Sequence, residues 1–190
     1  MRVIIFLAMF FAVSNLAVAE EVNLTSLDGY VSSEKQVCGF KLPAGLTLLK
    51  AQDASKGLSS GTTFKLTDND RSIVMNIVFS TTMGYKLTPE SSKKKQELKD
   101  AVRGNNNISL VDSVDDKIAE IPIFRIRAVD DTRQDSFTHM EMTSLFFGDH
   151  LLRVSLLTKS SDTSIPRKYI EAIITTFVYK DKGAYITIGR

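Results

Sequence analysis

The sequence predicts an α+β domain built on a mainly antiparallel β-sheet with helices packed on it. Three observations carry this. Most apolar segments are short and alternate with a period of two, a hairpin signal separates the strongest pair of them, and only two stretches have helical spacing. A parallel, doubly wound sheet would need a crossover helix after most strands, and this chain does not supply them.

The amino terminus has the layout of a cleavable signal peptide. Arg2 precedes the apolar run 3–13, Ser14 and Asn15 interrupt it, and Ala17 and Ala19 offer the small side chains a signal peptidase accepts. Cleavage is expected between Ala19 and Glu20. The run falls short of the about 20 apolar residues a spanning helix needs, so no transmembrane segment is expected in the mature chain. No cysteine follows the cut, which excludes a lipidated mature terminus.

Residues 20–36 read as a polar leader and 37–42 as a first strand, ended by the turn Pro43-Ala44-Gly45. After a Ser/Gly-rich loop at 54–61, residues 62–66 form a strand, Asp68-Asn69-Asp70 a turn, and 73–79 a long apolar strand. Ile73, Met75, Ile77 and Phe79 face one way while Val74 and Val78 face the other, which predicts cover on both faces. Thr88-Pro89-Glu90 has the marks of a helix start: a capping hydroxyl, a proline in the first turn and an acid near the positive dipole end. Lys99, Arg103 and Gly104 mark its end, with Gly104 where the chain can turn left-handed.

Residues 105–107 read as a loop, and 108–114 and 123–129 as strands joined through Asp115-Asp116. Phe124, Ile126 and Ala128 point inward on the second, with Arg125 and Arg127 outward. Residues 137–147 and 150–158 are expected to form a hairpin about Gly148-Asp149. Neither face of this pair is wholly apolar in the simplest register, so either a bulge shifts the pairing or both faces meet other layers. Residues 164–176 read as a helix with Pro166 in its first turn and Ile170, Ile173, Ile174 and Phe177 along one stripe. A single domain over 37–180, followed by a tail at 181–190, completes the organisation.

Removing 19 of the 190 residues leaves 171, enough to bury a core without staples. Loss of Arg2 leaves 23 basic residues against 22 acidic ones, and so near-neutral a balance gives no electrostatic case for nucleic acid. Cys38 is the only cysteine, so an internal disulfide is impossible and the core must hold the fold. Its expected place is buried on a strand.

Four features in this order resemble the PsbP/DcrB-like α/β/α sandwich family, in its periplasmic bacterial branch. They are Phe40-Lys41-Leu42-Pro43-Ala44-Gly45, the apolar strand 73–79 followed by a polar helix, the 137–158 hairpin, and the closing helix ending in Ile174-Thr175-Thr176-Phe177-Val178. Together they span residues 37–179. The resemblance implies a small, usually non-enzymatic domain that assists larger assemblies, located in the envelope in bacterial members. It transfers no catalytic residue, because the family has no shared catalytic motif. The chain departs from DcrB-like lipoproteins in lacking a lipidated cysteine, which speaks against anchoring by acylation.

Candidate residues are few. His139 and Glu141 share one face of a strand and could share a proton or a metal ion, but a zinc site needs a third ligand that the sequence does not identify. A solvent-facing polar stripe is the simpler reading. His150 flanks the Gly148-Asp149 turn, and no Gly-x-Ser-x-Gly elbow is present. Lys93, Lys94, Lys95, Lys99 and Arg103 form a possible interaction surface for anionic lipid or an acidic partner, at roughly 1 kcal/mol per favourably placed base. Leu98, Ala101 and Val102 make too thin an apolar side for insertion, and Glu97 and Asp100 dilute the charge, so a solvated face is the plainer reading. Asp130, Asp131 and Asp135 around Arg133 could attract calcium but lack the EF-hand spacing. Asn23-Leu24-Thr25 and Asn107-Ile108-Ser109 fit the glycosylation acceptor pattern, which matters only in a eukaryotic host.

No catalytic, cofactor-binding or metal-binding residue is assigned, and no cofactor is expected. The expected function is a soluble exported, periplasmic accessory or binding protein that acts on an envelope protein partner. Alternatives are a small-ligand or lipid-binding domain, an immunity protein against a toxin of the same compartment, and a secreted hydrolase or metal enzyme centred on His139 and Glu141.

Overall fold

A computed structural model describes residues 28–35, 37–56, 59–82, 87–88, 91–105, 107–130, 137–159 and 164–188. The signal peptide and its cleavage site, the Asn23 acceptor, Pro89, Glu90, Asp131, Arg133 and Asp135 lie outside these residues.

In chain order the elements are β1 (Tyr30–Ser32), β2 (Cys38–Lys41), β3 (Leu46–Lys56), β4 (Ser59–Asp68), β5 (Ile73–Thr82), α1 (Ser92–Arg103), β6 (Ile108–Ile118), β7 (Ile121–Asp130), β8 (His139–Phe147), β9 (His150–Thr158), α2 (Ser164–Thr176), β10 (Val178–Asp181) and β11 (Ala184–Thr187). Seven strands form one sheet in the order β3-β4-β5-β9-β8-β7-β6, and four form a second in the order β1-β2-β10-β11. Every pairing is antiparallel, so the chain is α+β and mostly sheet.

Two hydrophobic cores lie on the two faces of the large sheet. On one face Met75, Ile77, Phe79, Val154 and Leu156 pack with Ile170, Ile173 and Ile174 of α2, Phe177, and Cys38 and Phe40 of the small sheet. On the other, Phe124, Ile126, Ala128, Met142 and Phe146 pack with Leu98 and Val102 of α1 and with Leu87. The expected inward set of β7 therefore meets α1. Arg125 and Arg127, expected outward, instead lie on the α2 face, where both are partly buried and ion-paired.

Helix α1 covers only part of its face, beside β6 and β7. A helix about 10 Å wide cannot span seven strands set about 4.8 Å apart. Val74, Asn76, Val78 and Ser80 are accordingly only half-buried while Ile73, Met75, Ile77 and Phe79 are buried, so the cover expected on both faces of β5 is complete on one alone.

Four local expectations change in the structure. The leader contains β1, which pairs Val31 with Phe40, and the tail contains β11, which pairs Tyr185 with Lys180. Strand β3 carried no clear sequence signal because a bulge at Leu49 breaks its alternation midway. Asp115 and Asp116 belong to β6, and the turn comes at Ala119-Glu120, both with positive φ (45° and 66°). Helix α1 starts at Ser92, with Ser91 at its cap position making no side-chain cap bond, and Gly104 is right-handed at φ −68° with its N–H bonded to Asp100 O. The Gly148-Asp149 hairpin forms without a register shift, so the second alternative holds, with both faces meeting other layers.

Candidate functional site

The β8–β9 turn, the β6–β7 turn and Ile188 converge on a cleft of about 480 Å³. Leu87, Ile121, Pro122, Leu145, Phe146, Phe147 and Ile188 give it an apolar lining, and Thr88, Glu120 and Gly148 contribute polar groups. The Leu87 N–H donates to Gly148 O, which ties the segment before α1 to the hairpin tip. A second groove of about 570 Å³ shares Pro122 and Phe146 as a wall and is lined by Lys95, Asp115, Asp116, Lys117 and Ile123. Its charges are matched locally, with Lys95 Nζ 2.5 Å from Asp115, Lys117 Nζ 3.1 Å from Glu120 and Arg125 Nη1 3.1 Å from Asp116. The apolar cleft is thus the feature with unmet surface, and the groove beside it is electrostatically quiet.

The five bases expected to form one surface are divided by the fold. Lys95 and Lys99 turn toward the sheet, with their Nζ atoms 5.6 and 5.5 Å from the centroid of Phe124, an arrangement worth about 0.5–1 kcal/mol at such exposure. Lys94 pairs with Glu97 at 2.9 Å. Lys93 and Arg103 remain exposed. Packing against the sheet thus draws part of the basic stripe out of any common plane.

His139 and Glu141 do share a face of β8, as their spacing predicts. Glu141 is buried, at 6 % exposure, beside Arg127 on the neighbouring strand. Burial raises its carboxyl above the ordinary glutamate range, against the pull of Arg125, Arg127 and Arg167. Those guanidiniums are directed to other acids: Arg127 Nε lies 3.0 Å from Asp112 Oδ1, and Arg125 and Arg167 both address Asp116 Oδ2, at 3.1 and 3.5 Å. The Arg127 hydrogen bond holds Asp112 below the usual aspartate range. His139 Nδ1 stands 2.9 Å from Thr138 Oγ1. Among the described residues no three His, Cys, Asp or Glu side chains are grouped to hold a metal ion.

No protein-family model matches the chain, and no curated protein matches its sequence. Among solved structures it is similar to the solution structure of cyanobacterial PsbP (CyanoP) from Synechocystis sp. PCC 6803, with a TM-score of 0.51 at 14% identity, covering 80% of this chain and 91% of that one. The chain has a PsbP-like fold. It is also similar to a crystal structure from Bacteroides thetaiotaomicron VPI-5482, with a TM-score of 0.49 and 16% identity over 82% of this chain and 50% of that one.

Within this PsbP-like fold His150 is more than a residue beside a turn. Its ring packs 5.2 Å from Phe79, 5.7 Å from Phe147 and 4.9 Å from Tyr179, and its Nδ1 lies 3.2 Å from Thr81 Oγ1. Cys38 is fully buried, and burial pushes its thiol up to about 12. That is a packing residue and not a nucleophile. The cleft itself escaped sequence reasoning because its wall combines two hairpin turns, the segment before α1 and Ile188, which follows the last strand. The run Leu145-Phe146-Phe147 before a turn was the one signal for it.

Proposed function

We propose that this chain is a non-catalytic binding domain, exported to the periplasm, whose helix–sheet–helix layers present the hairpin-end cleft to a protein partner of the cell envelope. The cleft carries the proposal: eight apolar residues, Ala119 among them, line about 480 Å³ of open space on a scaffold held from both sides by packed cores. A partner side chain entering it would gain roughly 25 cal/mol for each Å² of apolar surface removed from water. The signal-peptide layout of residues 1–19 supports export.

Photo-crosslinking from position 122, replacing the exposed Pro122, tests this in an envelope fraction. A defined adduct is expected from position 122 and none from the exposed position 44. Equal labelling from both sites, or none from either, refutes the reading.

A second reading rests on the same volume, which lies within the about 300–1,000 Å³ typical of small-molecule sites. Native mass spectrometry of gently purified protein separates the two. A bound mass displaced when Ile121 is changed to Glu favours a small apolar ligand, and a clean apo mass favours the protein partner.

A further inference from the structure

The part of the large sheet that α1 leaves uncovered carries Lys50 on β3, Lys65 on β4 and Arg153 on β9. Among the described residues, no Asp or Glu occupies an outward position of β3, β4, β5 or β9 on that face. Lys50 and Lys65 are direct cross-strand partners, and like charges so placed cost stability in the free protein. Arg153 stands directly across from Ser144 of β8. Its Nε and the Ser144 Oγ are both buried, and among the described residues neither has a hydrogen-bond partner. Burial holds the Arg153 guanidinium below its usual range, with no carboxylate among the described residues to offset it.

We infer that this face docks an acidic, extended segment of a partner protein, with one carboxylate received by the part-exposed Arg153 guanidinium and a second by the Lys50–Lys65 pair. Lys65 and Arg153 lie two strands apart and two residues out of register, about 12 Å at spacings of about 4.8 Å per strand and about 3.3 Å per residue. Alternate residues of an extended peptide repeat every ~7 Å, and the long lysine and arginine side chains close the difference. A flat sheet face offers a small molecule little concavity, and its outward Gln52, Thr63 and Asn76 are not groups that enter lipid. The surface shares no residue with the cleft, so it stands or fails independently of the cleft reading.

The test uses the mature chain and a fluorescent peptide of alternating glutamate and serine, followed by anisotropy at low and at physiological salt. Salt-sensitive binding is expected, weakened about tenfold or more by the double variant Lys50→Glu/Lys65→Glu and within about twofold of wild type in Lys93→Glu/Arg103→Glu on α1. Lys50→Gln removes a like-charge opposition and is expected to raise the unfolding midpoint while still weakening peptide binding, which separates the effect on binding from a loss of fold. The inference is overturned if the peptide does not bind, or if reversal on α1 weakens it as much as reversal on the sheet. It is equally overturned if vesicles rich in phosphatidylglycerol bind through Lys50 and Lys65 while the peptide does not.

Discussion

Glu141 sits between Arg127 on β7 and Leu156 on β9, and its burial outweighs the attraction of three arginines whose hydrogen bonds go elsewhere. A carboxyl whose folded pKa is raised contributes its full stability below the ordinary glutamate value and loses it as pH rises through the folded value. Glu141→Gln is therefore expected to be more stable than the wild type near neutrality, with the gap closing as pH falls toward about 4. Urea midpoints across that range check it, and a wild type that outlasts the variant at neutral pH contradicts it. The pairing of His139 and Glu141 on one face was legible from their spacing. What was not legible is that the face lies under α2, since only the closing of the sheet decides which side of a strand is covered.

Among the elements, the β6–β7 connection bears the clearest strain. Ala119 and Glu120 form a two-residue turn with positive φ at both positions, a geometry that favours Asn-Gly. The double substitution Ala119→Asn and Glu120→Gly is expected to stabilise the protein by roughly 1–2 kcal/mol, read as a rise in chemical denaturation midpoint at unchanged slope. A turn was expected at Asp115-Asp116 because acidic residues favour turns, but those carboxylates face Lys95, Arg125 and Arg167 from within β6. Bulges at Leu49 and Val111 lie on the two edge strands of the large sheet and leave these side chains 55% and 59% exposed. Such bulges disrupt the ladder at an open edge and so disfavour pairing with another chain.

For the whole molecule, the joint between the two sheets is aromatic. Phe79 of β5 packs on Phe147, His150, Phe177 and Tyr179, with centroids 5.2–6.4 Å apart, and so ties the β8–β9 hairpin to β10 of the small sheet. Phe79→Ala is expected to cost about 3–5 kcal/mol and to loosen β10 with it. Equilibrium unfolding and hydrogen exchange at residues 178–181 measure both effects, and a loss under about 1 kcal/mol would show that the joint lies elsewhere.

By itself the sequence determined the α+β class, the Gly148-Asp149 hairpin, the helix at residues 164–176 and the burial of Cys38. Each of these depends on neighbours a few residues apart, where turn chemistry, helical spacing and side-chain size act directly. Only the tertiary structure decided the β3 bulge, the inward turn of Lys95 and Lys99 onto Phe124, the half-covered sheet face and the cleft behind Phe147. These depend on strand order and on how much sheet one helix can cover, quantities set by contacts between residues far apart in the chain.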